Sequence, residues 1–182
     1  GPLMHPPNLL FALVLVAALG LKAASAQPAL GAHGAEGESH RLQQWLVPSP
    51  DPVTAAHAVL FRPPGEGPFP LAVIAHASTQ NVLRRAQMPQ PEYRALAAWL
   101  VARGFAVLVP ERPGHGATGG KYLEDQGGCD EADYARSGRV TADEITAAAG
   151  LIRKQSFIRP EGMVVIGHSA GGVFVQLLLD RG

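Results

Sequence analysis

The chain has 182 residues, 47% of them hydrophobic, and a formal net charge of 0. That balance excludes a nucleic-acid-binding protein built on a basic surface. The single cysteine, Cys129, excludes a disulfide within the chain and leaves a free thiol or a partner elsewhere.

Gly1, Pro2 and Leu3 precede Met4 and read as the remnant of a cleaved tag, outside the fold. Residues 9–21 form a continuous apolar run, shorter than the roughly 18 residues a membrane span needs. Lys22 follows, then Ala24-Ser25-Ala26 and Gln27. An apolar run followed by a small-residue site predicts a secretory signal over 4–26, cut after Ala26, and a periplasmic or secreted protein. No Lys or Arg lies between Met4 and the run, a departure from that pattern. The competing readings are a buried core helix and an uncleaved anchor.

Without this leader about 150 residues remain, enough for one domain with a real core. No internal repeat is visible. Residues 28–39 are rich in Ala, Gly and Glu without an apolar period, which predicts a flexible leader. Residues 41–52 hold Trp45 and three prolines, and form an arm whose placement the sequence leaves open. The domain proper is expected over 53–182.

Residues 53–61 read as a strand stopped by Pro63-Pro64-Gly65. Residues 71–75 are a second, more apolar strand ending at His76. Residues 93–103 are a predicted helix, with Leu96, Trp99, Leu100 and Arg103 on one face and Gly104 as its stop. Residues 105–109 are another apolar strand, ended by Pro110. Thr141-Ala142-Asp143-Glu144 reads as a capping box opening a helix whose buried stripe is Ile145, Ala148, Ala149 and Ile152. Strands alternating with helices predict βαβ units and a mostly parallel sheet flanked by helices, an α/β fold.

Residues 163–166 are a short apolar run and read as a fully buried parallel strand. Gly167-His168-Ser169-Ala170-Gly171 then fits G-x-S-x-G. In that motif a sharp strand-to-helix turn lifts a serine hydroxyl above the sheet edge. The positions two either side of the serine must be small because the turn is strained. Val173, Phe174, Leu177 and Leu178 recur at helical spacing, so a helix follows, and its free N–H groups face a developing negative charge. An ordinary glycine-rich turn is the plainer alternative in a chain with 21 Gly.

Two loops at the carboxyl ends of strands stand out, since open α/β sheets bind ligands there. In the first, at residues 76–79, the backbone N–H of Ala77 or Ser78 is a candidate to join that of Ala170 in an oxyanion hole. The His76 side chain reads as a plug at the strand end. The second, residues 111–120, reads as a turn held by Arg112 and His115. His76, His115 and His168 are the histidines that could line a site.

In order and spacing, Leu71-Ala72-Val73-Ile74-Ala75-His76, Arg112-Pro113-Gly114-His115-Gly116 and Gly167-His168-Ser169-Ala170-Gly171-Gly172 resemble an α/β-hydrolase. Residues 116–143, with Gly127-Gly128-Cys129-Asp130-Glu131-Ala132-Asp133-Tyr134, resemble more narrowly the bacterial dienelactone-hydrolase-like proteins. Ala77 departs from the Gly usual after the His. The resemblance implies a serine hydrolase acting on an ester or lactone through an acyl-enzyme on Ser169, with no metal or organic cofactor. In that superfamily the triad order is Ser, then an acid, then His. After Ser169 this sequence holds Asp180 but no His. Asp180 would lie roughly 16 Å along a helix from Ser169, too far for a triad acid. The chain therefore resembles the front part of such an enzyme, ending after the nucleophile helix. That leaves a truncated form, with exposed sheet edges that favour self-association, or a pseudoenzyme. The alternatives are a serine peptidase of the same fold, and a non-catalytic hydrolase-fold protein that binds a ligand or partner. No membrane partner is implied once the signal is removed.

Overall fold

A computed structural model describes residues 1–3, 29–128 and 130–169. The signal segment, Cys129, Ala170, Asp180 and the helix expected after Ser169 lie outside the described residues.

Six strands form one mixed sheet: β1 (Gly31–His33), β2 (Gln43–Val47), β3 (Ala56–Phe61), β4 (Leu71–Ala75), β5 (Ala106–Pro110) and β6 (Val164–Gly167), in the order β1-β2-β3-β5-β4-β6. β1 to β3 are antiparallel, β3 pairs β5 antiparallel, and β4 runs parallel to both β5 and β6. Every residue of β4 and β5 is buried, as continuous apolar runs in the middle of a covered sheet must be. Alternation sorts them by face. Leu71, Val73, Ala75 and Leu108 point to one core with Trp45, Val47 and Leu60. Ala72, Ile74, Val107 and Val109 point to the other with Val59 and Phe61. Each Val, Leu or Ile side chain among them contributes roughly 1.5–3 kcal/mol on burial.

Helix α1 (Val82–Ala86) and helix α2 (Arg94–Val101) connect β4 to β5, and helix α3 (Tyr134–Arg153) connects β5 to β6. α2 packs Ala97, Leu100 and Val101 on one face of the sheet, and α3 packs Ile145, Ala148, Ala149 and Ile152 on the other. The chain moves from β4 to β5 on one side, then to β6 on the opposite side of β4. The carboxyl ends of β4 and β6 therefore meet where the strand order reverses, the crevice in which open α/β sheets bind ligands.

Several expectations change. The supposed leader contributes β1, whose residues pair with Gln44, Trp45 and Leu46, and the arm contributes β2. The strand expected from residue 53 begins at Ala56. Before it, Ser49 Oγ–H donates to the Thr54 carbonyl at 2.7 Å and closes a turn. On α2 the buried face is Ala97, Leu100 and Val101, whereas Trp99 is exposed with the Arg103 guanidinium stacked 3.5 Å from its ring centre.

α3 opens at Asp133, whose Oδ1 accepts the Arg136 N–H at 2.9 Å, and not at Thr141. Its first two turns bury Ser137, Gly138, Thr141 and Ala142, residues too polar or small to mark an apolar stripe. Thr141 Oγ1 donates to Glu124 Oε2 at 2.9 Å instead of capping. β6 starts one residue later than expected and is only partly buried, because its single neighbour among the described residues is β4.

Candidate active site

β6 delivers Ser169 to the crevice. The ladder continues one bond past the strand, where the His168 N–H donates to the Ala75 carbonyl at 3.0 Å. This holds the next residue beside the end of β4. Ser169 itself has φ of +56°, a left-handed conformation for a side chain with a β-carbon. Such a backbone costs of order 1–3 kcal/mol and persists only where the surroundings impose it. Ser169 and His168 are exposed.

The facing loop is residues 76–80. His168 Nδ1 lies 2.9 Å from Tyr93 Oη, and the rings stand edge to face at 5.6 Å. The same hydroxyl accepts the Ala77 N–H at 3.4 Å. Tyr93 therefore bridges the serine turn and the 76–80 loop. It too is left-handed, with φ of +50° at the start of α2. Helical spacing placed it merely at a helix end and carried no hint of this contact.

Behind the loop sits a buried polar cluster. His76 Nε2 accepts the Arg112 N–H at 3.0 Å, and His76 Nδ1–H donates to the Ala77 carbonyl at 2.7 Å. Both partners impose the same neutral tautomer. His115 Nδ1–H points at the carbonyls of Arg112 and Pro113, at 3.0 and 3.1 Å, so its Nε2 accepts the Ser78 hydroxyl at 2.6 Å. Burial, then the charge of Arg112, pushes the His76 imidazole well below the usual histidine range; burial also lowers His115.

Arg112 grips Glu124 in a two-pronged ion pair at 2.8 and 2.9 Å. Burial alone would raise the Glu124 carboxyl. The Arg112 charge and hydrogen bonds outweigh it and hold Glu124 well below the usual carboxylate range. Glu144 on α3 is pushed well above that range by burial and then by the Glu124 charge. Tyr122 lies 3.3 Å from Ser78 Oγ, with the Arg85 guanidinium 3.7 Å from its ring centre. Ser78, Thr79, Tyr122, Glu124, Gln126 and Ser137 line a polar cavity of about 150 Å³.

The structure thus brings His168 and Ser169 to the 76–78 loop, with Tyr93 between. His76 reads from the sequence as a plug at the strand end and His115 as a holder of the 111–120 turn, both with the possibility of lining the site. They are buried, 1% and 0% exposed, with both ring nitrogens of each occupied by protein partners. The physical reason is that they satisfy backbone groups at the ends of β4 and β5, which burial would otherwise leave costly. Among the described residues no group of three or more His, Cys, Asp or Glu is arranged to hold a metal ion.

The fold is that of the α/β-hydrolases. Residues 91–182 match the sequence profile of the prolyl oligopeptidase family, and the chain belongs to that family. Acetyl xylan esterase 1 from Thermoanaerobacterium sp. shares the fold, with a TM-score of 0.52 and 16% identity over 82% of this chain and 47% of that one. A protein assigned as an acetyl xylan esterase in Bacteroides fragilis gives 0.56 and 20% identity, over 84% and 45% of the two chains. One assigned as a dipeptidyl aminopeptidase IV in Bacteroides ovatus gives 0.55 and 14% identity, over 77% and 19%. At such identities the likeness concerns the fold alone. This chain spans less than half the length of these structures. No curated protein matches it.

Proposed function

We propose that the chain is part of a serine hydrolase that cleaves an ester or lactone through an acyl-enzyme on Ser169. The observation that carries this reading is the left-handed Ser169, exposed at the end of a parallel strand and beside the 76–78 loop. That geometry presents a hydroxyl to solvent at the crevice of the sheet.

In the proposed reaction Ser169 Oγ attacks the carbonyl carbon. The N–H of Ala170, with that of Ala77 or Ser78, holds the negative oxygen. A histidine and an acid outside these 182 residues complete the triad; the histidine takes the Ser169 proton and returns it to the leaving alcohol. No step calls for a metal or organic cofactor. The narrower likeness to dienelactone-hydrolase-like proteins, and the names of the two acetyl xylan esterase neighbours, favour a small-molecule ester. A signal cut after Ala26 would place the enzyme in the periplasm or outside the cell. Peptide-bond hydrolysis is the second reading, favoured by the prolyl oligopeptidase match.

The test uses the full-length protein. A fluorophosphonate should label Ser169 and no other serine. Ser169→Ala should lower p-nitrophenyl ester turnover about a million-fold, the usual cost of losing such a nucleophile. Turnover that survives Ser169→Ala sinks the assignment. A proline p-nitroanilide cleaved faster than the esters would favour the peptidase reading.

A further inference from the structure

A trans peptide unit points its N–H opposite to its C=O. The peptide bonds of the 76–80 loop are trans. Where the loop's carbonyls are held therefore decides where its N–H groups point.

The His76 carbonyl accepts Arg112 Nη1–H at 2.8 Å. The N–H of the same peptide unit belongs to Ala77, so it is turned away from Arg112, and it meets Tyr93 Oη on the Ser169 side of the loop. The Ala77 carbonyl accepts His76 Nδ1–H at 2.7 Å, which turns the Ser78 N–H away from the His76 ring. Ser78 is then anchored by its own side chain, 2.6 Å from His115 Nε2. Two consecutive peptide planes and one side chain are thus fixed by three residues that are 1% exposed or less.

The anchors are themselves anchored. Arg112 is held by Glu124, and each imidazole has its tautomer set by two backbone or hydroxyl partners. A buried network satisfied in this way has one arrangement and is rigid. Rigid donors are what an oxyanion site needs, since donors fixed in advance cost no reorganisation when charge develops.

We propose that His76, Arg112 and His115 are positioning residues that aim the Ala77 N–H at the oxyanion formed on Ser169. This rests on the Ser169 reading above. The Ala77 bond to Tyr93 Oη is long, and the oxyanion takes the hydroxyl's place as acceptor. None of the three residues touches substrate; each acts through the backbone of the loop.

The experiment compares His76→Leu with His76→Asn in the full-length protein, using a p-nitrophenyl ester and a thermal melt. Leu fills the ring's space without a donor, whereas the Asn side-chain N–H reaches the Ala77 carbonyl from nearly the position of Nδ1. We expect His76→Leu to lower kcat about 10²- to 10³-fold, the cost of losing one oxyanion donor, with KM changed less than about twofold. His76→Asn should recover most of the loss.

An unchanged kcat, a loss carried by KM, or equal losses in the two variants would overturn the proposal. If His76→Leu does not fold, the wild type decides. A boronic acid captured by Ser169 should move the Ala77 amide proton downfield more than any other amide of the loop. An adduct without that movement also overturns it. Failure to form any adduct, together with activity in Ser169→Ala, would instead refute the nucleophile assignment.

Discussion

Ser169 and Tyr93 are two non-glycine residues in left-handed backbone, and they face each other across the crevice through His168. Strain at two positions joined through His168 is what a constrained site looks like, since each costs of order 1–3 kcal/mol and the surroundings must hold both. Nearby, Gly114 shows what the 111–120 loop demands of a single residue. Its φ is +86°, and a β-carbon there would stand 2.6 Å from Tyr122 Cα. Gly114→Ala should destabilise the protein by roughly 2–4 kcal/mol, adding a left-handed penalty to a backbone clash. Chemical denaturation measures it, and a change below about 0.5 kcal/mol, the usual range of neutral surface substitutions, would show that the loop yields. Position 114 could be read from the sequence as a turn glycine, but its neighbour Tyr122 could not.

At the scale of elements, α3 is docked to the loop after β5 by polar groups as well as by its apolar stripe. Ser137 Oγ donates to the Glu124 carbonyl at 2.6 Å, Thr141 donates to the Glu124 carboxylate, and Glu144 lies buried beside it. Removing one partner of the buried Arg112–Glu124 pair would cost about 3–5 kcal/mol by leaving the other charge uncompensated. Glu144 gives the pair a signature in pH. Its folded-state pKa is raised, so the native protein holds a proton that the unfolded chain releases above about pH 4.3. The stabilisation from that proton is full below the unfolded value and is lost as pH rises toward the folded one. Glu144→Gln keeps a neutral side chain at every pH. Its melting temperature relative to wild type should rise steadily as pH is taken upward from 4.5. A difference that stays flat would show that Glu144 is ionised in the fold.

At the scale of the whole molecule, the signal reading leads to export. Expressed with its own N-terminus in a bacterium with a secretion pathway, the protein should reach the periplasm and start at Gln27. N-terminal sequencing of the periplasmic fraction tests it, and protein confined to the cytosol and starting at Met4 would refute it. β6 lies at the edge of the described sheet, where β4 is its one paired neighbour among the described residues and Val164 is 42% exposed.

How much of this was legible follows from which interactions are local. Short-range pattern was enough for β4 and β5, because continuous apolar runs between turn residues have few other uses, and for the turn at Ser169, because strained backbone between two glycines leaves a short-range pattern. It also marked the buried stripe of α3 from Ile145 onward. Long-range packing set the start of α3 at Asp133, the place of Gly31–His33 in the sheet, and the position of Trp99 outside the core. Those outcomes depend on what the local apolar pattern does not carry: Glu124 for Thr141, β2 for β1, and for Trp99 open solvent on its side of the helix. The same holds for the site. His76, Arg112 and His115 could be named as loop residues, but which backbone groups they hold was set only when β4 and β5 came side by side. A hydrogen bond across 36 residues leaves no periodicity in the chain that makes it.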